Sequence, residues 1–270
     1  PVRGCIRITR HYLDSVIVQY IYFYRDLYQI DIRNEIDWKE DHILLRDYFP
    51  VDIHTDEARF EIQYGNVKRP THYNTSWDFA KFEVCSHKWL DVSEGDYGVS
   101  FLNDCKYGYS VHDGVVGMSM LKSATYPNPD ADKEHHSFWY GICPHSGDYT
   151  EGNTIAKAYM FNNPYRAVLK DKTGNGMKEL ESYVMSSASD VVVESVKMAE
   201  DSDDIILRCY EDSNRRVQTT LTFAFPVEKA VECTMLEEEE NELPFCGNEL
   251  ELEFRPFEIK TIKIRPAASV

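Results

Sequence analysis

Seven consecutive residues, Asn103-Asp104-Cys105-Lys106-Tyr107-Gly108-Tyr109, bring together an amide, a carboxylate, an ammonium group and two phenols. That set can hydrogen-bond sugar hydroxyls while an aromatic ring covers a pyranose face. The competing reading is a turn closed by Asn103 and Asp104 after a strand, with Lys106 solvated and Tyr107 packed on the core. A second constellation, Arg69, His72, Asn74, Trp77 and Asp78, is too dense in polar and aromatic groups for an ordinary loop. Trp77 could stack on a sugar. The favoured reading is structural: a buried Trp77 anchoring the loop and an Arg69–Asp78 clamp, with His87, Lys88 and Trp89 packed beside it.

Other groups carry weaker chemical signals. Retaining glycoside hydrolysis needs two carboxylates about 5 to 5.5 Å apart, and 46 acidic residues make too many pairs for composition to exclude one. His135-His136 with Asp130, Asp132 and Glu134 has ligand types suited to zinc. Adjacent strand residues point to opposite faces, so they chelate one ion poorly, and the plainer expectation is a loop entering a strand near Phe138. The run Glu237–Glu240, with Glu242, reads as a solvated loop or strand end. Seven cysteines, an odd number without a CxxC pair, read as reduced, mostly buried thiols and point to the cytosol. The triplet Asn74-Thr75-Ser76 is a glycosylation acceptor only in a secretory compartment and is discounted.

Composition narrows the class further. With 46 acidic against 29 basic residues the net charge is −17, a field that repels phosphate backbones and anionic lipid, so nucleic acid is not an expected partner. No apolar run approaches the roughly 20 residues that span a bilayer, so no membrane association is expected either. At 270 residues the chain can hold one large β domain or two smaller ones. The opening PVRGCIRITR alternates like a strand and lacks the apolar centre of a secretion signal, so the chain reads as an excised piece of a fold.

The elements that must position these groups are strands. Ile30, Ile32, Asn34, Ile36 and Trp38 alternate with Gln29, Asp31, Arg33, Glu35 and Asp37, the pattern of a half-buried strand. Residues 16–24 are apolar on both faces and predict a strand sandwiched between layers. Further strands are expected at Ile6–Thr9, Arg59–Tyr64, Phe79–Val84, Gly98–Leu102, Val115–Leu121 and Phe138–Ile142. Turns are expected at Tyr64-Gly65-Asn66, and at Asp113-Gly114 as a tight hairpin. DKTGNG, residues 171–176, marks a boundary. Beyond it, Val191–Val196, Ile205–Tyr210, Val217–Phe223, Leu250–Phe254 and Glu258–Ile264 form a second β unit. Without helical stripes or a βαβ rhythm, the architecture is antiparallel sandwiches. In the second unit alternation puts Arg208 and Tyr210 opposite Leu207, Cys209 and Glu211. A structural ion pair is the expected account of Arg208, with an interdomain contact as the alternative.

Five segments, RPTHYNTSWD (69–78), LNDCKYGYS (102–110), TYPNPDAD (125–132), Tyr140–His145 and PFEIKTIKI (256–264), joined by LRCYED (207–212) and Asn214-Arg215-Arg216, resemble the C-terminal half of the family 38 glycoside hydrolases, the retaining α-mannosidases. The likeness covers almost the whole chain. It implies an all-β fold, a large antiparallel β-supersandwich of the galactose mutarotase-like kind over 1–175 and a smaller β-sandwich over 176–270. It also implies a catalytic domain upstream that carries the nucleophile and a divalent metal, zinc, with no catalytic residue, cofactor or metal in this portion. Family β-domain loops contribute to the active-site cleft, which makes Asn103, Asp104, Lys106, Tyr107, Tyr109 and Lys122 the expected substrate-binding residues. Lys122 falls where relatives carry a basic residue, often Arg, and it lacks Arg's planar fork. The implied partners are an α-mannoside or oligosaccharide, the protein's own catalytic domain and a second copy in a homo-oligomer. An autonomous carbohydrate-binding module and a purely architectural role stay open beside it.

Overall fold

The alternation around Ile32 becomes a strand whose odd and even side chains meet different worlds, and the same device is repeated through most of the molecule. The computed structural model describes residues 2–166, 168 and 182–267 and divides into two compact units, Pro1–Ala167 and Val168–Val270. The boundary expected in residues 171–176 lies outside the described residues.

In the first unit the order is β1 (Arg3–Tyr12), β2 (Ser15–Tyr24), β3 (Ile30–Asp37), β4 (Leu44–Pro50), β5 (Glu57–Ile62), β6 (Gly65–Pro70), α1 (Ser76–Phe79), β7 (Val84–Cys85), β8 (Trp89–Ser93), β9 (Tyr97–Asn103), β10 (Gly108–His112), β11 (Val115–Lys122), β12 (His135–Ser146) and α2 (Thr154–Asn162). An eight-stranded sheet, ordered β1-β2-β3-β12-β9-β8-β5-β6, faces a four-stranded sheet, β4-β11-β10-β7. The inward residues of both make one core, from Ile32, Ile36, Trp38 and Phe60 through Phe101, Val111, Met118 and Phe138, as aligned sandwich layers require. On the other face of the large sheet, α2 sets Ala158 against Trp89, Leu102 and Cys143 in a smaller apolar cluster.

Several expected elements are longer or different. Ile30–Trp38 behaves as its alternation predicts, with Ile32, Asn34, Ile36 and Trp38 buried. Residues 16–24 are not sandwiched: β2 is second from the sheet edge and most of its residues are only half-buried. Phe79–Val84 is not a strand. Thr75 and Asp78 form a reciprocal capping box that turns Ser76–Phe79 into a helical turn, leaving Val84–Cys85 to pair with Tyr109 and Gly108. Asp113 and Gly114, at φ 51° and 71°, close the β10–β11 hairpin in the left-handed conformation expected of them.

The second unit contains β13 (Val184–Ser186), β14 (Val191–Met198), β15 (Ile205–Glu211), β16 (Val217–Phe223), β17 (Val227–Cys233), β18 (Glu239–Glu242), β19 (Phe245–Cys246), β20 (Glu249–Phe254) and β21 (Ile259–Pro266). Sheets β13-β16-β20-β19 and β14-β15-β21-β17-β18 enclose a core that includes Leu207, Cys209, Leu221, Phe223, Leu250, Phe254, Ile262 and Ile264. The acidic run is strand edge, with Glu237 paired to Lys197 and Glu239 to Lys229. Arg208 is not ion-paired among the described residues: it donates to the Thr261 hydroxyl at 3.3 Å and the Met235 carbonyl at 3.1 Å. It lies on the face opposite the Leu207–Cys209 core, so no buried carboxylate is required.

Candidate functional site

The Asn103–Tyr109 loop leaves β9 and enters β10, and Asn103 is the residue that shapes it. Its amide is wholly buried, donating to the His87 carbonyl and, at 2.7 Å, to the Tyr109 hydroxyl, while its Oδ1 accepts the Lys106 backbone N–H at 2.8 Å. Tyr109 is equally buried, and burial drives its phenol far above the usual range. These two side chains are spent inside the unit. Asp104 accepts the Trp139 N–H at 3.0 Å, while its Oδ1 is buried without a hydrogen-bond partner among the described residues. Burial and the neighbouring Asp104 carboxylate push the Cys105 thiol up to about 12.

The outward members of the loop are Lys106 and Tyr107. Lys106 Nζ lies 4.5 Å from the Phe138 ring centroid, and Tyr107, 46% exposed, meets His87 edge-on at 5.2 Å. Tyr107 therefore packs on His87 at the surface and not on the core. Lys122 is exposed, with its N–H held by Asp132 at 2.8 Å. It lies three residues beyond Ser119, the partner of Gly108, roughly 10 Å along β11 at the strand rise of about 3.4 Å. Lys106, Tyr107 and Lys122 thus sit toward one end of the small sheet.

The 69–82 segment occupies the opposite end of β10. Trp77 does not anchor it: the ring is 80% exposed, with Tyr73, Phe79 and Phe82 exposed beside it. Tyr73 meets Phe79 at 5.7 Å and stacks on His112 at 3.8 Å, and Phe79 meets Phe82 at 5.6 Å. The Arg69–Asp78 clamp is also absent among the described residues. Asp78 is consumed by the cap on Thr75, whose hydrogen bond holds its carboxyl below the usual value. Arg69 donates to the Cys85 carbonyl and lies over Phe60. Trp89 stacks on Tyr149 at 5.3 Å, and Lys88 pairs with the buried Glu61 at 2.8 Å.

Between these two ends runs the outer face of the small sheet, which sequence reasoning missed. Arg46 and Tyr48 of β4 lie across small residues of the neighbouring strands. The Arg46 guanidinium donates to Ser110 Oγ at 2.7 Å and pairs with Glu83 at 3.2 Å. A Cβ at Gly117 would stand 2.7 Å from Arg46 Nη2, so only glycine lets the side chain lie flat. The signal was the i, i+2 spacing of Arg46 and Tyr48 in LLRDYFP.

A metal is not supported by these side chains. Among the described residues no three His, Cys, Asp or Glu groups stand together as a ligand set. His135 hydrogen-bonds Glu35 and His136 the Asp132 carbonyl. The strand begins at His135, so the two imidazoles leave on opposite faces. All seven cysteines are free, and only Cys143, Cys209 and Cys233 are buried, fewer than expected. No described helix is long and apolar enough to cross a membrane.

Comparison with known proteins fits this architecture. Residues 1–130 match the family described as Glycosyl hydrolases family 38 C-terminal domain, and residues 190–262 the Glycosyl hydrolases family 38 C-terminal beta sandwich domain. The chain is 37% identical over 238 residues to Alpha-mannosidase 2C1 of Homo sapiens, covering 86% of the chain and 23% of that protein. It is 36% identical over 240 residues to Alpha-mannosidase G of Dictyostelium discoideum, covering 87% and 22%, and 35% identical over 262 residues to Alpha-mannosidase of Saccharomyces cerevisiae, covering 88% and 24%. The chain therefore spans about a quarter of the length of these relatives. In fold it is similar to a crystal structure of an alpha-mannosidase from Enterococcus faecalis V583, with a TM-score of 0.80 at 18% identity over 93% of this chain and 29% of that one. With both β units matched in chain order, the chain belongs to glycosyl hydrolase family 38, in which it corresponds to the C-terminal β-domains.

Proposed function

We propose that the longer protein carrying this chain is a retaining α-mannosidase that removes terminal, non-reducing α-D-mannose, and that these residues are its C-terminal β-region, bracing a catalytic domain that lies outside them. The observation that carries this reading is 35–37% identity to proteins named alpha-mannosidase across 86–88% of the chain. The displacement carboxylates and a divalent metal, zinc by family likeness, belong to that other domain, and the residues described above are not used for either. Lys106, Tyr107, Lys122 and the Asp104 carboxylate rim the sugar cleft from the β side, with Asn103 and Tyr109 holding the rim in place. The protein works in the cytoplasm, in keeping with seven free cysteines.

An aryl α-mannoside assay tests this. The longer protein is expected to turn it over, releasing α-mannose first when followed by NMR, and the 270-residue chain is expected to be inactive. Turnover by the chain alone, or none by the longer protein, overturns the assignment.

A second reading, an autonomous carbohydrate-binding module, is favoured by one observation: Tyr73, Trp77, Phe79 and Phe82 form an exposed aromatic group, the kind of surface on which pyranose rings stack. Calorimetric titration with manno-oligosaccharides separates the two. Saturable binding by the chain alone supports a module, and no heat supports a cleft wall.

A further inference from the structure

The two sheets of the first unit are unequal, eight strands against four, and the excess is not evenly placed. The β1–β2 register puts Gly4, Ile6, Ile8, Arg10 and Tyr12 opposite Phe23, Ile21, Gln19, Ile17 and Ser15. Ile17 and Ile21 pack against the core, which identifies this row as the inner face of the sandwich. It is nevertheless uncovered at its margin: Ile6 is 53% exposed, Tyr12 44% and Phe23 41%. An inner sheet face made of isoleucine and aromatic side chains is one that folding normally hides.

The small sheet stops short of this face. Its outermost strand, β4, pairs with β11 and has no strand on its other side. Inward residues Leu45 and Phe49 reach the core. Asp47 turns inward too, but its carboxylate is engaged by the Tyr140 hydroxyl at 2.6 Å and Gln19 Nε2 at 3.4 Å, so it does not repel a neighbour as an unpaired edge charge would. Arg10, Ile17, Gln19, Leu45, Asp47, Phe49, Met120 and Tyr140 line an open recess where β4 ends and β1–β2 continue. A row of free backbone groups beside an uncovered apolar floor is the arrangement that accepts an added strand.

We propose that the free edge of β4 and the inner face of β1–β2 receive a β-strand of alternating apolar and polar residues supplied by the same protein from outside these 270 residues. The strand would pair with β4, extend the small sheet and lay its apolar side chains on Ile6, Ile8, Ile21 and Phe23. Relatives of this chain have roughly three quarters of their length outside the matched region, so chain to supply such a strand exists in them. The inference rests on the reading of this chain as part of a longer family 38 enzyme, but not on that enzyme's activity.

Residue-resolved hydrogen exchange on the longer protein tests it. A strand paired on both sides protects successive amides, whereas an edge strand protects only alternate ones. Slow exchange at consecutive amides across Leu45–Phe49, at least tenfold slower than the alternate exposed amides of β1, is the expected result. Alternating fast and slow amides in β4 overturn the proposal, and so does protection that vanishes on dilution, which would mark a second copy as the donor. The variant Ile6→Lys gives an independent readout. It is expected to lower the Tm of the longer protein by several degrees, and an unchanged Tm counts against the covered face. A longer protein inactive on mannosides but protected throughout β4 would sink the functional assignment and leave this inference standing.

Discussion

Asp91 Oδ2 and His145 Nε2 lie 2.8 Å apart with side-chain exposures of 3% and 4%, joining β8 to β12 inside the first unit. Ser100 Oγ donates to the same Asp91 oxygen at 2.7 Å and contacts Thr154 Oγ1, at the start of α2, at 2.5 Å. A Cβ at Gly152 would stand 2.5 Å from His145 Cγ, and one at Gly98 would also strike the ring. The imidazole is thus clamped between two glycines and locks α2 onto the sheet. The residue types are those of a nucleophilic triad, but one imidazole nitrogen serves both Asp91 and Ser100. The serine is buried as well, so the arrangement is structural.

Burial disfavours the His145 imidazolium, but the hydrogen bond and charge of Asp91 outweigh it and the pKa is raised, with the Ser146 carbonyl helping and Lys157 opposing. A raised folded-state pKa means that this contribution is complete below the unfolded value of about 6.5 and is lost as pH rises through the folded value. His145→Gln is expected to cost about 3–5 kcal/mol at pH 6, the range for breaking a buried pair. The cost should shrink toward pH 9, as read by denaturant titration at each pH.

Asp212 carries the opposite kind of perturbation. Burial, with Asp190 and Glu211 nearby, raises its carboxyl to about 7 despite the Ser213 hydroxyl. The folded unit then binds a proton that the unfolded chain has already released. Stability from this group therefore falls as pH rises from about 4 to 7. Asp212→Asn should abolish that fall and raise the Tm at pH 8 by several degrees relative to the parent, with no gain at pH 4.

Asn103 and Lys106 are adjacent in function only on paper. Asn103→Ala removes three hydrogen bonds in a buried setting and should destabilise the first unit by about 1–3 kcal/mol. Lys106→Ala should leave the Tm within about 1 °C but lower kcat/KM of the longer enzyme on an aryl α-mannoside about tenfold. Unchanged kinetics would reduce the loop to architecture.

Trp77 is too exposed to support its own loop, so Trp77→Ala should shift the stability of the isolated chain by no more than about 0.5 kcal/mol. In the longer protein a loss of about 1–3 kcal/mol is expected if the aromatic group is covered there. Equal, negligible effects in both would leave a free surface, and binding calorimetry then decides between sugar and solvent.

Alternation and turn chemistry determined much of this protein from sequence: the Ile30–Trp38 strand, the Asp113-Gly114 hairpin, the strands of the second unit and the all-β class follow from period-two burial and from φ preferences, which are local. The family also lay in local segments such as RPTHYNTSWD and LNDCKYGYS. Tertiary structure decided which polar side chains remained available. Asn103 and Tyr109 bond each other, Asp78 turns to Thr75, and Trp77 is left outside, because hydrogen bonds between residues far apart in the chain and the competition for core volume are settled only when sheets stack. The pairing of Asp91 with His145, 54 positions apart, and the bare edge of β4 carry no period or motif. They exist because strands distant in sequence became neighbours, or stopped one neighbour short.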